Sequence, residues 1–379
     1  MKKKLFALPM LALGVLVLCA TAYAQDSDKD KLGPYKQLTT IDIPGELVGF
    51  DISWVDSEAG RYYLANRGTA STPPAPSISV IDTRHDKFLY AIPLSTAANG
   101  VVAIHGAGDD DEEEGPGTLV VGGGDSTAIF IDLARPFAPP TAVSTGGKGR
   151  ADELAYDPKH HLILIANDRD ADLFVTFIST VSPPHVVGQI KYDGSVPGNP
   201  KSTGGIEQPV WDTQTQRFYL AIPSTAANTN GEVDEINPTT MKITRIFPTT
   251  CGPAGLVLIP GQQLMTSCGD VLDIATGKVV HTVAGVGGDE IWFNPGDERV
   301  YFGGCCGVAR INVPVVNALP PYNVITSLVV GQILMPAAPN HTTHSVAADS
   351  ELNRIFVPVS HEGVKVYTDD RDNGEGPDK

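Results

Sequence analysis

The chain has 379 residues, with 44 Asp and Glu against 27 Lys and Arg, for a formal charge of -17 at pH 7. Such acidity repels phosphate backbones and anionic lipid, which excludes nucleic acid and membrane surfaces as main partners. No stretch keeps apolar residues at helical spacing for three turns, so a helical fold is excluded as well. Short runs of Val, Ile, Tyr and Phe between Gly, Pro, Asn and Asp predict an all-β chain instead.

In chain order, the first residues read as a secretory signal. Lys2, Lys3 and Lys4 precede an apolar run from Leu5 to Cys19, and Ala22-Tyr23-Ala24 fits a small-x-small cleavage site before Gln25. The run is too short and too close to that site for a membrane span. Leu18 before Cys19 argues against lipidation, which wants a small residue there. Residues 1–24 are thus expected to be removed, leaving a periplasmic or secreted protein without a membrane span.

A two-strand unit then recurs. A short apolar strand ends in an acidic or turn residue, and a second apolar strand follows. Ile52 to Asp56 precedes Arg61 to Asn66, Leu154 to Asp157 precedes Leu162 to Asn167, and Val210 to Asp212 precedes Arg217 to Ala221. Ile291 to Asn294 precedes Arg299 to Gly303, and Val346 to Asp349 precedes Arg354 to Pro358. Two degenerate copies, Val101 to Ile104 with Thr118 to Val121 and Leu256 to Pro260 with Gln263 to Thr266, make seven. Third and fourth strands follow most pairs, and the spacing of about 34 to 55 residues suits four-stranded propeller blades. The last copy stops at its third strand near Tyr367, while an orphan strand, Gln37 to Ile43, stands near the start. The expectation is a seven-bladed β-propeller over residues 25–368, closed by that N-terminal strand completing the last blade, with 369–379 a disordered acidic tail. The acidic run Asp109 to Glu114 reads as a solvated loop, or as a calcium loop without known ligand spacing.

Arg61-Tyr62-Tyr63-Leu64-Ala65-Asn66, followed by Ser79-Val80-Ile81-Asp82, resembles the repeat of the YVTN family. That resemblance implies an exported seven-bladed propeller of bacterial or archaeal type. More distantly it implies kinship with gluconolactonase-like propellers, some of them metal-dependent lactonases. Their full motifs are absent here.

The repeat also serves as a ruler. Five residues before the Asp or Asn that ends each clear first strand stand Asp51, Asp152, Glu207, Asp289 and His344. One step further are Ile52, Glu153, Gln208, Glu290 and Ser345. First strands of propeller blades line the central channel, so these side chains are expected to converge at its mouth. Crowded carboxylates must be protonated, solvated or neutralised by a cation. Asp51, Asp152, Glu153, Glu207, Asp289, Glu290 and His344 are therefore candidate ligands for calcium, magnesium, manganese or zinc. The alternative is a water-filled acidic funnel, or a register displaced by a bulge. Crowding also predicts at least one raised carboxylate pKa unless a cation is bound.

His341 and His344 form an H-x-x-H pair outside any helical zinc motif, and His361 is placed near the same face. Arg150 could balance the carboxylates or bridge neighbouring blades. After signal removal four cysteines remain. Cys251 and Cys268 are expected to bridge within blade five, and Cys305-Cys306 is a vicinal disulfide or two thiols; bridges from blade five to blade six are the alternative.

No G-x-S-x-G elbow, P-loop or C-x-x-C-H haem site occurs. Two functions stay open. One is a binding propeller for a small molecule, surface polymer or partner protein, expected to be a monomer, with loops Thr69 to Pro76 and Ser195 to Gly205 suited to recognition. The other is a metal-assisted hydrolase or lyase of lactonase type, with Asp152, Glu207 or His344 as general base.

Overall fold

Five of the seven first strands end in an Asp or Asn that helps to build the following turn: Asp56, Asp157, Asp212, Asn294 and Asp349. Asp157 Oδ1 accepts hydrogen bonds from the backbone N–H groups of Lys159 and His160 at 2.9 and 3.1 Å, and Asp349 Oδ1 does the same for Glu351 and Leu352 at 3.0 and 3.1 Å. These Asx turns reverse the chain, and a residue with positive φ delivers it to the second strand: Gly60, His161, Gln216, Glu298 and Asn353 all lie between 52 and 64°. The recurrent Asp or Asn is thus a turn device, and His161 is part of it.

The computed structural model of the chain describes residues 35–68, 75–105, 117–304, 310–332 and 342–369. The expected signal segment, the acidic run 109–114, Cys305, Cys306, His341 and residues 370–379 lie outside the described residues. Asp369, the last described residue, is buried.

Among the described residues, 28 strands, β1 to β28, form seven four-stranded antiparallel sheets, and no helix is present. The first strands of the blades are β2 (Phe50–Asp56), β6 (Ala98–Ile104), β10 (Leu154–Asp157), β14 (Pro209–Asp212), β18 (Leu256–Ile259), β22 (Gly288–Asn294) and β26 (Ala347–Asp349). Both degenerate copies are blades. The fold is the expected seven-bladed β-propeller.

Closure comes from β1 (Lys36–Ile41), which adds to β28 (Gly363–Thr368) as the fourth strand of the last blade, pairing Lys36 with Thr368 and Ile41 with Val364. The ring is held side to side. Seven apolar clusters each fill one blade interface, as in the seventh-to-first closure, where Val55, Tyr62 and Leu64 meet Ala347, Phe356 and Val364. Tyr62 and Phe356 stack there with ring centroids 5.0 Å apart. Burying such side chains stabilises by about 1.5–3 kcal/mol each, so every interface contributes and none dominates.

Candidate functional site: the channel mouth

The first strands run along the propeller axis from one face, and their starts form a ring. Applying the five-residue count to all seven blades completes it as Asp51, Asn99, Asp152, Glu207, Ala254, Asp289 and His344. In three blades the strand pairing jumps here, between Phe50 and Ser53, Ala98 and Val101, and Gly288 and Ile291. A bulge of this kind breaks the alternation of faces, so two successive side chains can turn toward the axis. That is why Asp289 and Glu290 both reach it.

Close backbone approach between blades holds the ring tight. A Cβ on Gly100 would lie 2.1 Å from the carbonyl oxygen of Asp152, and one on Gly303 would lie 2.6 Å from that of His344. Only glycine lets the ring residue of the next blade come this near.

Arg150 is the hub. Its Nη2 lies 2.5 Å from Asp152 Oδ2, its Nε donates to Asp168 Oδ1 at 2.9 Å, and its Nη1 reaches Asp51 Oδ2 at 3.4 Å. It therefore ties blade three to blade one. Arg67 pairs with the same Asp51 oxygen and donates through Nε to Asn99 Oδ1 at 3.1 Å. His344 stacks on Phe50, centroids 4.8 Å apart, with Nε2 3.2 Å from Asp51 Oδ1. Arg169 adds a contact to Asp168 Oδ2 at 3.2 Å.

The acids respond unequally. Burial pushes Asp51 up, but the His344 hydrogen bond and the guanidiniums of Arg67 and Arg150 outweigh it and hold the group below the usual carboxylate range. Asp152 goes the other way: burial and the Asp51 charge raise it despite Arg150. Burial, reinforced by Asp168 and Asp289, pushes Glu207 up to about 8. Burial also raises Asp289, with Asp51 adding to the effect.

One ligand oxygen each from Asp152, Asp168 and Glu207 lies within 4.8 Å of the others, close enough to hold a metal ion. Asp152 Oδ1 is buried without a hydrogen-bond partner. Hard carboxylate oxygens at this spacing suit calcium, magnesium or manganese better than zinc.

Asp51, Asp152, Glu207, Asp289 and His344 are thus brought to one mouth, as the ruler implied. Glu153 and Glu290 sit beneath it on the wall of the axial cavity, raised well above the usual range chiefly by burial. His361 is engaged outside the ring, with Nδ1 2.7 Å from Glu46 Oε1. Sequence reasoning missed Asp168, Arg67 and Asn99. Asn66-Arg67 and Asn167-Asp168 occupy matching positions at the exit of the second strand, so the same ruler laid along that strand would have found the first two. Asn99 was hidden in a degenerate copy.

Cys251 and Cys268 form a disulfide within blade five, beside the alanine gap in the ring. No family model matches the chain, and no curated protein matches it. Solved structures sharing the fold include a chain of the "Crystal Structure of Mitotic Checkpoint Complex", at TM-score 0.61 and 14% identity, covering 97% of this chain and 99% of that one. At that identity the likeness shows the propeller fold alone.

Proposed function

We propose that this chain is an exported propeller of the YVTN kind whose channel mouth binds a divalent cation, alone or with a small anionic or polar ligand, in a binding role. The observation that carries this reading is the Asp152, Asp168 and Glu207 triad around the unpartnered Asp152 Oδ1. A divalent ion there would supply the charge that Arg150 alone does not. Asp51, Asp289 and His344 complete the rim, and Glu153 and Glu290 stand beneath it on the cavity wall. Export rests on the signal-like first 24 residues and agrees with a disulfide in the mature chain.

The test is titration of chelator-treated protein with calcium, magnesium, manganese and zinc, followed by calorimetry and thermal melting. At least one ion should stabilise at pH 7, and Asp152→Asn and Glu207→Gln should abolish the effect. No response to any of the four sinks the reading. Fractionation and N-terminal sequencing starting at Gln25 test export, and sedimentation tests the expected monomer.

A second reading is favoured by Glu207, whose titration near 8 at the open rim suits a general acid or base. In that reading the cation polarises a lactone or ester carbonyl while Glu207 or His344 moves the proton. Lactone turnover lost in Glu207→Gln with unchanged melting would support it. Absence of turnover across a lactone and ester panel, with ion binding intact, leaves the binding role.

A further inference from the structure

Below the acid ring the axis widens into a cavity of about 450 Å³. Trp54, Trp211 and Trp292, all three tryptophans of the chain, line it together with Tyr156 and Phe293. The exposed Pro158 belongs to its wall just past the end of β10, so the cavity reaches toward the face opposite the acid ring. Volume and lining are those of a small-molecule site: mostly apolar, with few polar groups.

Three of those polar groups, Gln208, Glu290 and Glu153, stand at the inner end, and Trp211 Nε1 of the wall is buried without a partner. Gln208 is occupied, its Oε1 accepting from the Leu256 N–H at 2.8 Å. Glu290 accepts a hydrogen bond from the Ser345 hydroxyl. Glu153 differs: it is 5% exposed, and its Oε2 has no hydrogen-bond partner. A buried carboxyl oxygen left without a donor is costly, and a site that ends in one selects a ligand that brings the donor. Indole and phenol rings line the approach, and the faces of such rings attract positive charge through the ring quadrupole. A carboxyl oxygen without a donor at the end and aromatic rings on the walls call for the same ligand, an N–H-bearing cation with an apolar body.

We propose that this channel binds an organic ammonium ion with an aromatic or aliphatic body, entered from the face opposite the acid ring, with its N–H groups on Glu153 and its body among Trp54, Trp211 and Trp292. The site is separate from the metal reading, because Asp152, Asp168 and Glu207 take no part in the cavity wall.

Having every tryptophan in the wall makes intrinsic fluorescence a direct readout. Full-length mature protein is titrated at pH 7.5 with phenethylamine and, in parallel, with 2-phenylethanol, which has nearly the same shape but no charge. The amine should give a saturable tryptophan shift, and the alcohol should bind at least tenfold more weakly. Glu153→Gln should weaken the amine at least tenfold, with circular dichroism and melting unchanged. Glu207→Gln at the mouth should leave amine affinity within twofold, even where it abolishes divalent-ion binding. The proposal is overturned if the amine gives no saturable shift, if the alcohol binds as tightly, or if Glu153→Gln binds the amine like the parent. Should Glu153→Gln fail to fold, the amine and alcohol comparison on the parent protein decides alone.

Discussion

The two halves of the channel mouth are built from the same strand position but solve its electrostatics differently. On the side of blades one to three, Asp51, Asp152 and Asp168 share Arg150, with Arg67, Asn99 and Arg169 closing the network. On the side of blades four to six stand Glu207, Ala254 and Asp289, and among the described residues neither of these acids has an ion pair. The first half is preorganised by guanidiniums. In the second, burial raises both acids, so they await a proton or a cation. One backbone ring can thus set a guanidinium-held half beside a half without ion pairs, and the carboxylate triad spans the border, with Asp152 and Asp168 on the first side and Glu207 on the second.

The comparison breaks most sharply at Arg150. Arg150→Met leaves three buried acids without their common cation, so the loss at pH 7 should be about 3–5 kcal/mol. Urea unfolding at pH 7 measures it, and a loss below about 1 kcal/mol would mean that the closed half is not held by this residue.

Gly100→Ala attacks the same half through the backbone. The added methyl meets the Asp152 carbonyl, so blade three must move outward, at about 1–3 kcal/mol. The variant should also weaken divalent-ion binding, which calorimetry on the folded protein reads.

Glu207→Gln sharpens the contrast from the open side. The folded value of about 8 lies above the ordinary 4.5, so folding favours the protonated form. Its contribution to stability is fully present below about pH 4.5 and is lost as pH rises through 8. Melting of chelator-treated protein should therefore fall between pH 5 and 9, and Glu207→Gln should flatten that decline. Identical profiles would show that Glu207 titrates in its ordinary range.

Ala254→Asp fills the gap in the ring and is expected to have the smallest effect. A further carboxylate on the open side should tighten divalent-ion binding about three- to tenfold, because ligand charge sets affinity at oxygen sites. Unchanged affinity would place the ion away from blade five.

The fold was legible from the chain because propeller blades are local. Each strand pairs with its sequence neighbour, so the turn-forming Asp157 or Asp349 and the apolar runs around it record the blade in contiguous residues. Closure was legible as well, since Gln37 to Ile43 had no partner nearby and the last blade lacked a strand. A fixed offset of five residues from the Asp or Asn ending each clear first strand also made Asp51, Asp152, Glu207, Asp289 and His344 equivalent in the sequence. What only the tertiary structure decided is which charges meet across blades. Arg150 reaches Asp51 over a separation of 99 residues, and no local pattern encodes that distance. The tier on which Glu153 and Glu290 sit was likewise undecidable, because a bulge changes which way successive side chains point without changing the sequence pattern. Local pairing is written in short-range order, whereas the balance of charge on the axis comes from seven chain segments that meet only when the ring closes.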